Sequence, residues 1–267
     1  MDWRNVYRGA MMGITELIPG VSSGTIAVIL GIYDQLIIAI NGVLSKDWKK
    51  HLTFLIPLAV GMGLALVGFG RLIGYLLDHF EEPTRFFFLG LILGVLPLLL
   101  KQSNAKKTFK MVHYVTLVIA AGIVALMKLL PENHQVIETM TFGDAITLFF
   151  AGWIASMFML LPGISGSLVL LILGAYKTAI NAIGTFNIPI LLVIGVGVLV
   201  GFFVSSRLIK YLLSNYYYVT YAAIIGLVLG STVVVFPEST SAYQIIPSIF
   251  TFIGGAATAF LLGSKGK

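Results

Sequence analysis

Residues 16–40 read ELIPGVSSGTIAVILGIYDQLIIAI, and residues 159–180 read MLLPGISGSLVLLILGAYKTAI. Each stretch interrupts an apolar run with Pro-Gly, continues with small hydroxyl and glycine residues, and then resumes an apolar run. With a shift of 143 positions the matched pairs include Pro19 and Pro162, Gly20 and Gly163, Ser22 and Ser165, Leu30 and Leu173, Gly31 and Gly174, and Tyr33 and Tyr176. The recurrence indicates an internal duplication.

The Pro-Gly pair predicts a helix break in each copy, at Pro19 and Gly20 and again at Pro162 and Gly163. Proline cannot donate a backbone hydrogen bond, and glycine adopts backbone angles that other residues avoid. Serine and threonine then suit the start of a new helix, whose free N–H groups attract anions such as phosphate. We therefore expect phosphate-binding residues in both copies: Ser22, Ser23, Gly24, Thr25, Ser165, Gly166 and Ser167. The alternative is that the breaks are simple kinks and the serines satisfy neighbouring carbonyl groups.

Composition places the chain in a membrane. Of 267 residues, 58 % are hydrophobic and only 10 % are charged, and the mean hydropathy is +0.99. A soluble domain has far more charge. Several apolar runs approach the ~20 residues that a helix needs to cross a bilayer. The sequence therefore predicts an all-α polytopic membrane protein, and the absence of cysteine excludes disulfides, thiolate catalysis and thiolate metal sites.

The apolar runs predict two similar repeats. The first repeat, 1–111, contains a re-entrant helical hairpin (9–40) and two transmembrane spans (52–77 and 86–100). A connecting transmembrane helix (112–130) leads to the second repeat, 131–243, with a hairpin (146–183) and spans 188–213 and 218–236, and a final transmembrane helix and basic C-terminus occupy 244–267. Broken backbone is tolerated at membrane depth only beside protein or a wet cavity, so the breaks predict a cavity.

Loop charges predict how the repeats are oriented, because Lys and Arg concentrate in cytoplasmic loops. If the first hairpin enters and leaves on the inner side, the basic loops 42–51 and 101–111 and the C-terminus lie inside, and the acidic segments 78–82, 131–144 and 238 lie outside. In each repeat the chain then returns to the side from which it started. The single helix between the repeats crosses the membrane once, so the second repeat has the opposite orientation. We therefore expect two inverted-topology repeats, each followed by one extra transmembrane helix, with both termini cytoplasmic.

Inverted repeats with broken helices are typical of secondary transporters that bind substrate near the membrane midplane. The two break tips are therefore predicted to meet there and to direct amides and hydroxyls at one anionic group. Arg71 and Arg207 occupy equivalent places in apolar spans, where a charge costs at least ~2.5–3.5 kcal/mol on insertion scales. A guanidinium group matches phosphate oxygens well, so both arginines are predicted to bind a substrate phosphate. Each also lies close enough to the end of its span for its side chain to reach the headgroups instead.

Glu16 is a carboxylate within the first break motif, and its counterpart Met159 is apolar. A carboxylate in a low-dielectric site is a candidate for proton coupling or a partner for an arginine. The alternative is a structural ion pair with Arg8 or with an arginine of another span. Tyr33, Tyr176 and Arg85 lie at the ends of apolar runs, where anchoring at the membrane interface is the favoured interpretation. For Arg85 the alternative is that it is a ligand of the substrate.

No enzyme motif is evident, which predicts a protein that is not an enzyme and has no cofactor. His51, His79, His113 and His134 lack metal-ligand spacing, so no metal site is expected. Nucleotide-binding glycine loops and a strand-turn-helix GxSxG context are absent. The predicted partners are membrane lipid and not nucleic acid, and a homodimer is compatible with the sequence.

The motifs LIPGVSSGTIAVILGIYDQLI and LLPGISGSLVLLILGAY resemble those of the bacterial family long known as domain of unknown function 368, the PopT-type undecaprenyl phosphate translocases. The resemblance covers essentially the whole chain, although Glu16 stands where the family more often has Asp and Ser23 where it more often has Gly. It implies a transporter that returns undecaprenyl phosphate, a polyprenyl phosphate, from the outer to the inner leaflet of the bacterial cytoplasmic membrane. The carrier lipid would thus be recycled for cell-wall synthesis.

Two other functions remain open at this point. A secondary transporter of a small soluble anion would use the same inverted architecture. Membrane undecaprenyl pyrophosphate phosphatases also have broken-helix inverted repeats, but such an enzyme needs a metal or general-base cluster, and Glu16 alone is evident here.

Overall fold

The computed structural model describes residues 3–18, 20–133, 135–237 and 242–265, and all regular structure in these residues is helical. Pro19, a predicted break residue, lies outside the described residues, as do His134 and Glu238. The first half of the chain forms α1 (Arg4–Glu16), α2 (Ser23–Ile29), α3 (Tyr33–Gly42), α4 (Trp48–His79), α5 (Glu81–Gln102), α6 (Ala105–Thr108) and α7 (Met111–Met127). The second half forms α8 (Phe142–Met159), α9 (Gly166–Ile172), α10 (Tyr176–Gly184), α11 (Ile188–Asn215), α12 (Tyr217–Val235), a short 3-10 helix (Ala242–Gln244) and α13 (Ile245–Lys265).

Six of the described helices are long and apolar enough to cross a membrane, namely α4, α5, α8, α11, α12 and α13. The pairs α2–α3 and α9–α10 meet the same criteria together but bend by 119° and 105°. Helix α7 is apolar and has 17 residues. The prediction of an all-α, multi-pass membrane protein is thus confirmed.

The second arm of each predicted hairpin is not one continuous helix. The sequence suggests an uninterrupted apolar arm over 24–40, whereas the structure ends α2 at Ile29 and starts α3 at Tyr33. Gly31 lies in the turn with φ of 68°, and its counterpart Gly174 has φ of 75°. The turn recurs because the glycine recurs, and the short helix after each break is therefore only seven residues long.

Glycines bring the same helices together in both halves. On α1, Gly9 lies against the backbone of Leu58 in α4. On α8, the equivalent Gly152 lies against the backbone of Ile194 in α11. Small residues allow membrane helices to approach closely where lipid provides no hydrophobic driving force between them. The duplication seen in the sequence is thus also a duplication of helix contacts.

Helices α1 and α4 run in the same direction. Near their starts, the Asn5 side-chain amide donates to the Phe54 carbonyl oxygen at 3.4 Å. Towards their far ends, Leu17 lies beside Gly70. Since both helices start at the same end of the molecule, the segment α2–α3 between them returns the chain to the end from which α1 departed.

Two other pairs of closely packed long helices join the two halves of the chain. Helix α7 follows the first repeat but packs on α12 of the second, with Gly226 against Leu117. Helix α13 follows the second repeat but packs on α5 of the first, with Gly90 against Phe252. The two halves are therefore held together by exchanged helices.

Helices α5 and α12, which are counterparts in the duplication, run antiparallel. The Tyr217 hydroxyl at the start of α12 donates to the carbonyl oxygen of Gln102 at the end of α5 at 3.3 Å. At the other end, the rings of Phe86 and Phe236 lie 5.7 Å apart between centroids. This contact defines two ends of the molecule.

We call the end where α4 begins and α5 ends the basic face, and the opposite end the acidic face. The basic face carries Lys46, Lys49, Lys50, Lys101, Lys106, Lys107 and Lys110. Helix α7 ends at the acidic face, because the Lys128 amine that follows it donates to the Phe236 carbonyl oxygen at 2.9 Å. The acidic face carries Asp78, Glu81, Glu82, Glu132 and Glu138.

Candidate functional site

The two helix breaks touch each other. The backbone amide of Gly163 in the second break donates to the Thr25 hydroxyl oxygen of the first at 2.9 Å. In the opposite direction, the Ser22 hydroxyl donates to the Leu161 carbonyl oxygen at 3.2 Å. Thr25 and Ser22 are both buried. Residues that are about 140 positions apart in sequence thus form one polar junction between the halves.

The hydroxyl groups at the two helix starts have different roles. Ser165 acts as an N-cap of α9, because its side chain accepts from the Leu168 amide at 3.5 Å, and it also bonds the Ser167 hydroxyl at 2.7 Å. Ser22 precedes α2 in the same way but makes no capping bond. Its hydroxyl is used across the junction instead, which breaks the equivalence of the two copies.

Glycine is required at the second break by both conformation and space. Gly163 has φ of 92°, a region that residues with a side chain rarely adopt. A Cβ at this position would collide with the backbone of Leu227 and Val228 in α12. The first break is less crowded, since a Cβ on Gly20 would meet a side-chain methyl of Val234 at 3.0 Å.

Tyr33 takes part in the junction and is not an interfacial side chain. It is buried, and its hydroxyl donates to the Leu160 carbonyl oxygen at 3.1 Å. The anchoring interpretation is therefore wrong for Tyr33, because the turn at Gly31 directs α3 back along the second repeat. Tyr176 is half-buried. The recurrence of tyrosine in both copies was the signal in the sequence that could have identified this role.

Glu16 lies at the edge of the junction. The Ser23 hydroxyl and backbone amide lie beside its carboxyl group. Within the described residues, the carboxyl oxygen Oε1 is sealed from solvent and makes no hydrogen bond.

An apolar cavity of about 350 Å³ reaches the first break. Ser23 and Gly24 form its inner end, and it extends to Val43 and Leu52 near the basic face. Apolar residues of the first hairpin, α4 and α11 form the rest of its wall, among them Met12, Leu36, Leu55, Met62, Leu199 and Phe202. Two predicted phosphate-binding residues therefore border a hydrophobic space.

A second apolar cavity, of about 620 Å³, lies at the acidic face between α1, α4, α5 and α13. It runs from Ile14 on α1 to Phe80 between α4 and α5. Its wall includes Leu72, Ile73, Leu76, Phe87, Phe88 and Pro247. These two apolar cavities therefore lie towards opposite faces of the molecule.

The structure does not bring Arg71 and Arg207 to the junction. Both residues are exposed, on α4 and α11 respectively. Within the described residues, neither arginine forms a hydrogen bond or ion pair with the break residues. Each lies eight residues before the last residue of its helix, which corresponds to about 12 Å of helix. Among the same residues, no group of three or more His, Asp and Glu side chains could hold a metal ion.

Comparisons with known proteins agree with one another. Residues 12–251 match the family described as undecaprenyl phosphate translocase-like. A polyprenyl-phosphate transporter of Staphylococcus aureus is 42 % identical over 271 residues, covering 98 % of this chain and 96 % of the relative. A polyprenyl-phosphate transporter of Vibrio cholerae is 35 % identical over 252 residues, covering 89 % of this chain and 79 % of the relative. No solved structure matches the chain significantly.

Proposed function

Since this chain belongs to the undecaprenyl phosphate translocase-like family, we propose that it returns undecaprenyl phosphate from the outer to the inner leaflet of the bacterial cytoplasmic membrane. The observation that carries the proposal is the polar junction between the breaks, in which Gly163 bonds Thr25 and Ser22 bonds Leu161. A break in each half, joined to the other at buried depth, provides a point at which the halves can separate. Transport in this direction would recycle the carrier lipid for cell-wall synthesis.

Inverted topology of the two repeats is part of this proposal. The antiparallel course of the counterpart helices α5 and α12 supports it, as do the contacts of Tyr217 with Gln102 and of Phe86 with Phe236. The parallel course of α1 and α4 supports a re-entrant first hairpin, because the chain must return to its starting face between them. Repeats related in this way can expose one central site to each leaflet in turn.

In the proposed cycle, the phosphate head binds at the separated break residues. In the arrangement described here, the junction is closed, because the Gly163 amide and the Ser22 hydroxyl bond the other half. Parting of the halves would release these polar groups for phosphate oxygens, which would replace the bonds that are broken. The residues exposed in this way are Ser22, Ser23, Gly24, Thr25, Ser165, Gly166 and Ser167.

The two apolar cavities suit the prenyl tail. The cavity beside Ser23 and Gly24 extends towards the basic face, and the cavity beside Ile14 lies at the acidic face. Burying apolar surface against apolar walls is favourable. The tail would therefore occupy the cavity at the acidic face before the head crosses and the cavity towards the basic face afterwards. The protein would then need to move only one small anion past the junction.

Arg71 and Arg207 are proposed as successive partners of the phosphate. Helices α4 and α11 run in opposite senses in this topology, which puts Arg71 nearer the acidic face and Arg207 nearer the basic face. A long, flexible arginine side chain can reach along a helix surface to an anion. Since positively charged loops face the cytoplasm, the basic face, with both chain termini, is proposed to be cytoplasmic.

The test is leaflet transfer of fluorescent undecaprenyl phosphate in liposomes that contain the purified protein, with phosphate release measured in parallel. We expect transfer without release of phosphate. No transfer of the lipid, combined with uptake of a soluble phosphate compound, would contradict the proposal and indicate a small-anion carrier. Release of phosphate from undecaprenyl pyrophosphate would indicate a phosphatase instead.

A further inference from the structure

A polar cavity of about 220 Å³ lies at the acidic face, apart from the two apolar cavities. At about 30 Å³ for each water molecule, it has room for several waters or for a phosphate group. It lies between the start of α5 and the ends of α7, α9 and α12. The residues that line it are Arg85, Met127, Lys128, Leu130, Glu132, Leu168, Ile172, Val234 and Phe236.

The charged groups inside this cavity are mainly cationic. Arg85 and Lys128 are half-buried, whereas Glu132 is exposed. Arg85 uses its Nε atom to pair with Glu81 at 2.7 Å. Within the described residues, its two terminal nitrogens make no hydrogen bond, so they remain for another acceptor. Lys128 donates one bond to the Phe236 carbonyl oxygen, and an ammonium group has two further donors.

The opposite face has a counterpart cavity with different chemistry. A shift of 136 positions aligns Gly90 with Gly226 and Arg85 with Tyr221. Tyr221 lines a space of only about 30 Å³ together with Tyr33, Asp34 and Gln102. A carboxylate and two phenols replace the two cations, so the basic face has no equivalent attraction for an anion at this place. Among the described residues, the two counterpart cavities therefore differ in charge, and two cations line the one at the acidic face.

Helix α9 connects the cationic cavity with the second break. Leu168 and Ile172 form part of the cavity wall, and α9 begins at Gly166, directly after Ser165. Seven helical residues span about 10 Å. An anion held by Arg85 and Lys128 would therefore be about one short helix away from the junction, and the apolar wall of the cavity would accept the first carbons of a lipid chain.

We propose that the cavity formed by Arg85 and Lys128 is a docking site for the phosphate head of the polyprenyl lipid at the acidic face, before the head moves to the junction. This inference rests on the proposed transport function and adds a direction to it, because the lipid is captured at the face that bears the cationic cavity. The ligand class is a lipid phosphate monoester. Glu132 at the rim limits affinity and favours release onward.

The direct test is binding of farnesyl phosphate to the protein in neutral nanodiscs. We expect Arg85→Ala and Lys128→Ala each to raise the half-saturating concentration roughly tenfold, since hydrogen bonds to charged groups are strong. Lys128→Arg should restore most of the affinity. Lys106→Ala, which removes an exposed charge from the basic face, should leave the affinity unchanged. Farnesol, without a phosphate, should bind all variants alike.

A further variant is expected to bind farnesyl phosphate more tightly, which a misfolded protein would not do. Glu132→Gln removes the carboxylate from the rim and should lower the half-saturating concentration about two- to threefold. In the transfer assay, Arg85→Ala and Lys128→Ala should raise the lipid concentration needed for half-maximal transfer while the maximal rate is largely kept. A structural role in holding α5 and α12 would lower the maximal rate instead.

The two proposals can fail separately. If the wild-type protein transfers the lipid but Arg85→Ala, Lys128→Ala and Glu132→Gln all bind farnesyl phosphate as the wild type does, the docking site is wrong and the transport function stands. If the wild type transfers no lipid, the transport function is wrong. If inorganic phosphate displaces farnesyl phosphate at equal concentration, the cavity selects a soluble anion and the lipid docking site is overturned.

Discussion

The backbone amide of Gly163 donates a 2.9 Å hydrogen bond to the side-chain oxygen of Thr25, which lies 138 residues earlier in the chain. Both groups are buried. A buried polar group that loses its partner is costly, so this bond favours the closed junction. Opening the halves requires that something else, such as a phosphate oxygen or water, takes the place of Thr25 or Gly163.

Replacement of Thr25 should show how much this hydrogen bond contributes to stability. In Thr25→Val the Gly163 amide is left without an acceptor, and we expect a loss of about 1–3 kcal/mol in the free energy of unfolding. Thr25→Ser keeps the oxygen and should lose much less. Thermal unfolding in one detergent measures both. Thr116→Val is a matched control, because among the described residues the Thr116 hydroxyl bonds the Val112 carbonyl oxygen, in the preceding turn of α7. Equal stability of Thr25→Val and Thr25→Ser would contradict the role of the bond.

Replacement of the two equivalent tyrosines should have unequal effects. Tyr33→Phe removes the hydrogen bond to the buried Leu160 carbonyl and should destabilise the protein by about 1 kcal/mol. Tyr176→Phe should cost less, because Tyr176 is half-buried and makes no hydrogen bond within the described residues. The same unfolding assay compares them. A larger loss for Tyr176→Phe would show that the second copy, and not the first, relies on its tyrosine.

Alanine substitutions at Gly20 and Gly163 should distinguish the effect of backbone strain from the effect of a steric clash with α12. Gly20 and Gly163 have φ of 90° and 92°, so each substitution incurs about 1–2 kcal/mol of backbone strain. Gly163→Ala also collides with the backbone of α12, and we expect loss of folded protein in size-exclusion chromatography. Gly20→Ala meets side-chain methyl groups of Val234 and Val235, which can shift, and should fold with lower stability. The close approach of Gly163 to the α12 backbone would be wrong if the two variants behaved alike.

Substitution of Glu16 tests proton coupling. Within the part of the chain that the structure describes, its oxygen Oε1 is sealed from solvent and makes no hydrogen bond, so a proton there would be exchanged only when the junction opens. If the carboxylate carries the proton, wild-type lipid transfer responds to an imposed pH gradient and Glu16→Gln does not. Transfer rates in liposomes with acidic or neutral exterior measure this. Full transport by Glu16→Gln, with unchanged pH dependence, would remove proton coupling from the mechanism.

Substitution of Arg71 and Arg207 tests whether the exposed arginines take part in the crossing. We expect Arg71→Ala and Arg207→Ala each to reduce the rate of lipid transfer at least tenfold, since each removes a charge-assisted partner of the phosphate. Lys210→Ala, on the same helix as Arg207 and also exposed, should transfer lipid normally. Normal transfer by both arginine variants would leave them as headgroup anchors.

Several features of the protein can be predicted from short stretches of sequence, because they depend on local chemistry. Composition alone indicated membrane helices, because ~20 apolar residues in a row have few other stable environments. The Pro-Gly pairs indicated breaks for a similar reason, since their backbone chemistry does not depend on distant neighbours. Gly31 and Gly174 marked two further turns in the same way, although their effect on the second arm became evident only in the structure.

The choice of partners across the molecule was decided by tertiary structure. Nearly uniform apolar spans carry little information about which neighbour each helix selects, so the exchange of α7 and α13 between the halves could not be anticipated. The same holds for the bond of Thr25 to Gly163 and for the cavity of Arg85 and Lys128. The sequence by itself determined the class of protein, its duplication and its breaks, because these depend on local backbone chemistry and hydropathy. The inverted repeats also predicted that the two breaks meet. The hydrogen bonds between the breaks and the positions of the charges depend instead on close packing between distant segments, which only the folded chain brings about.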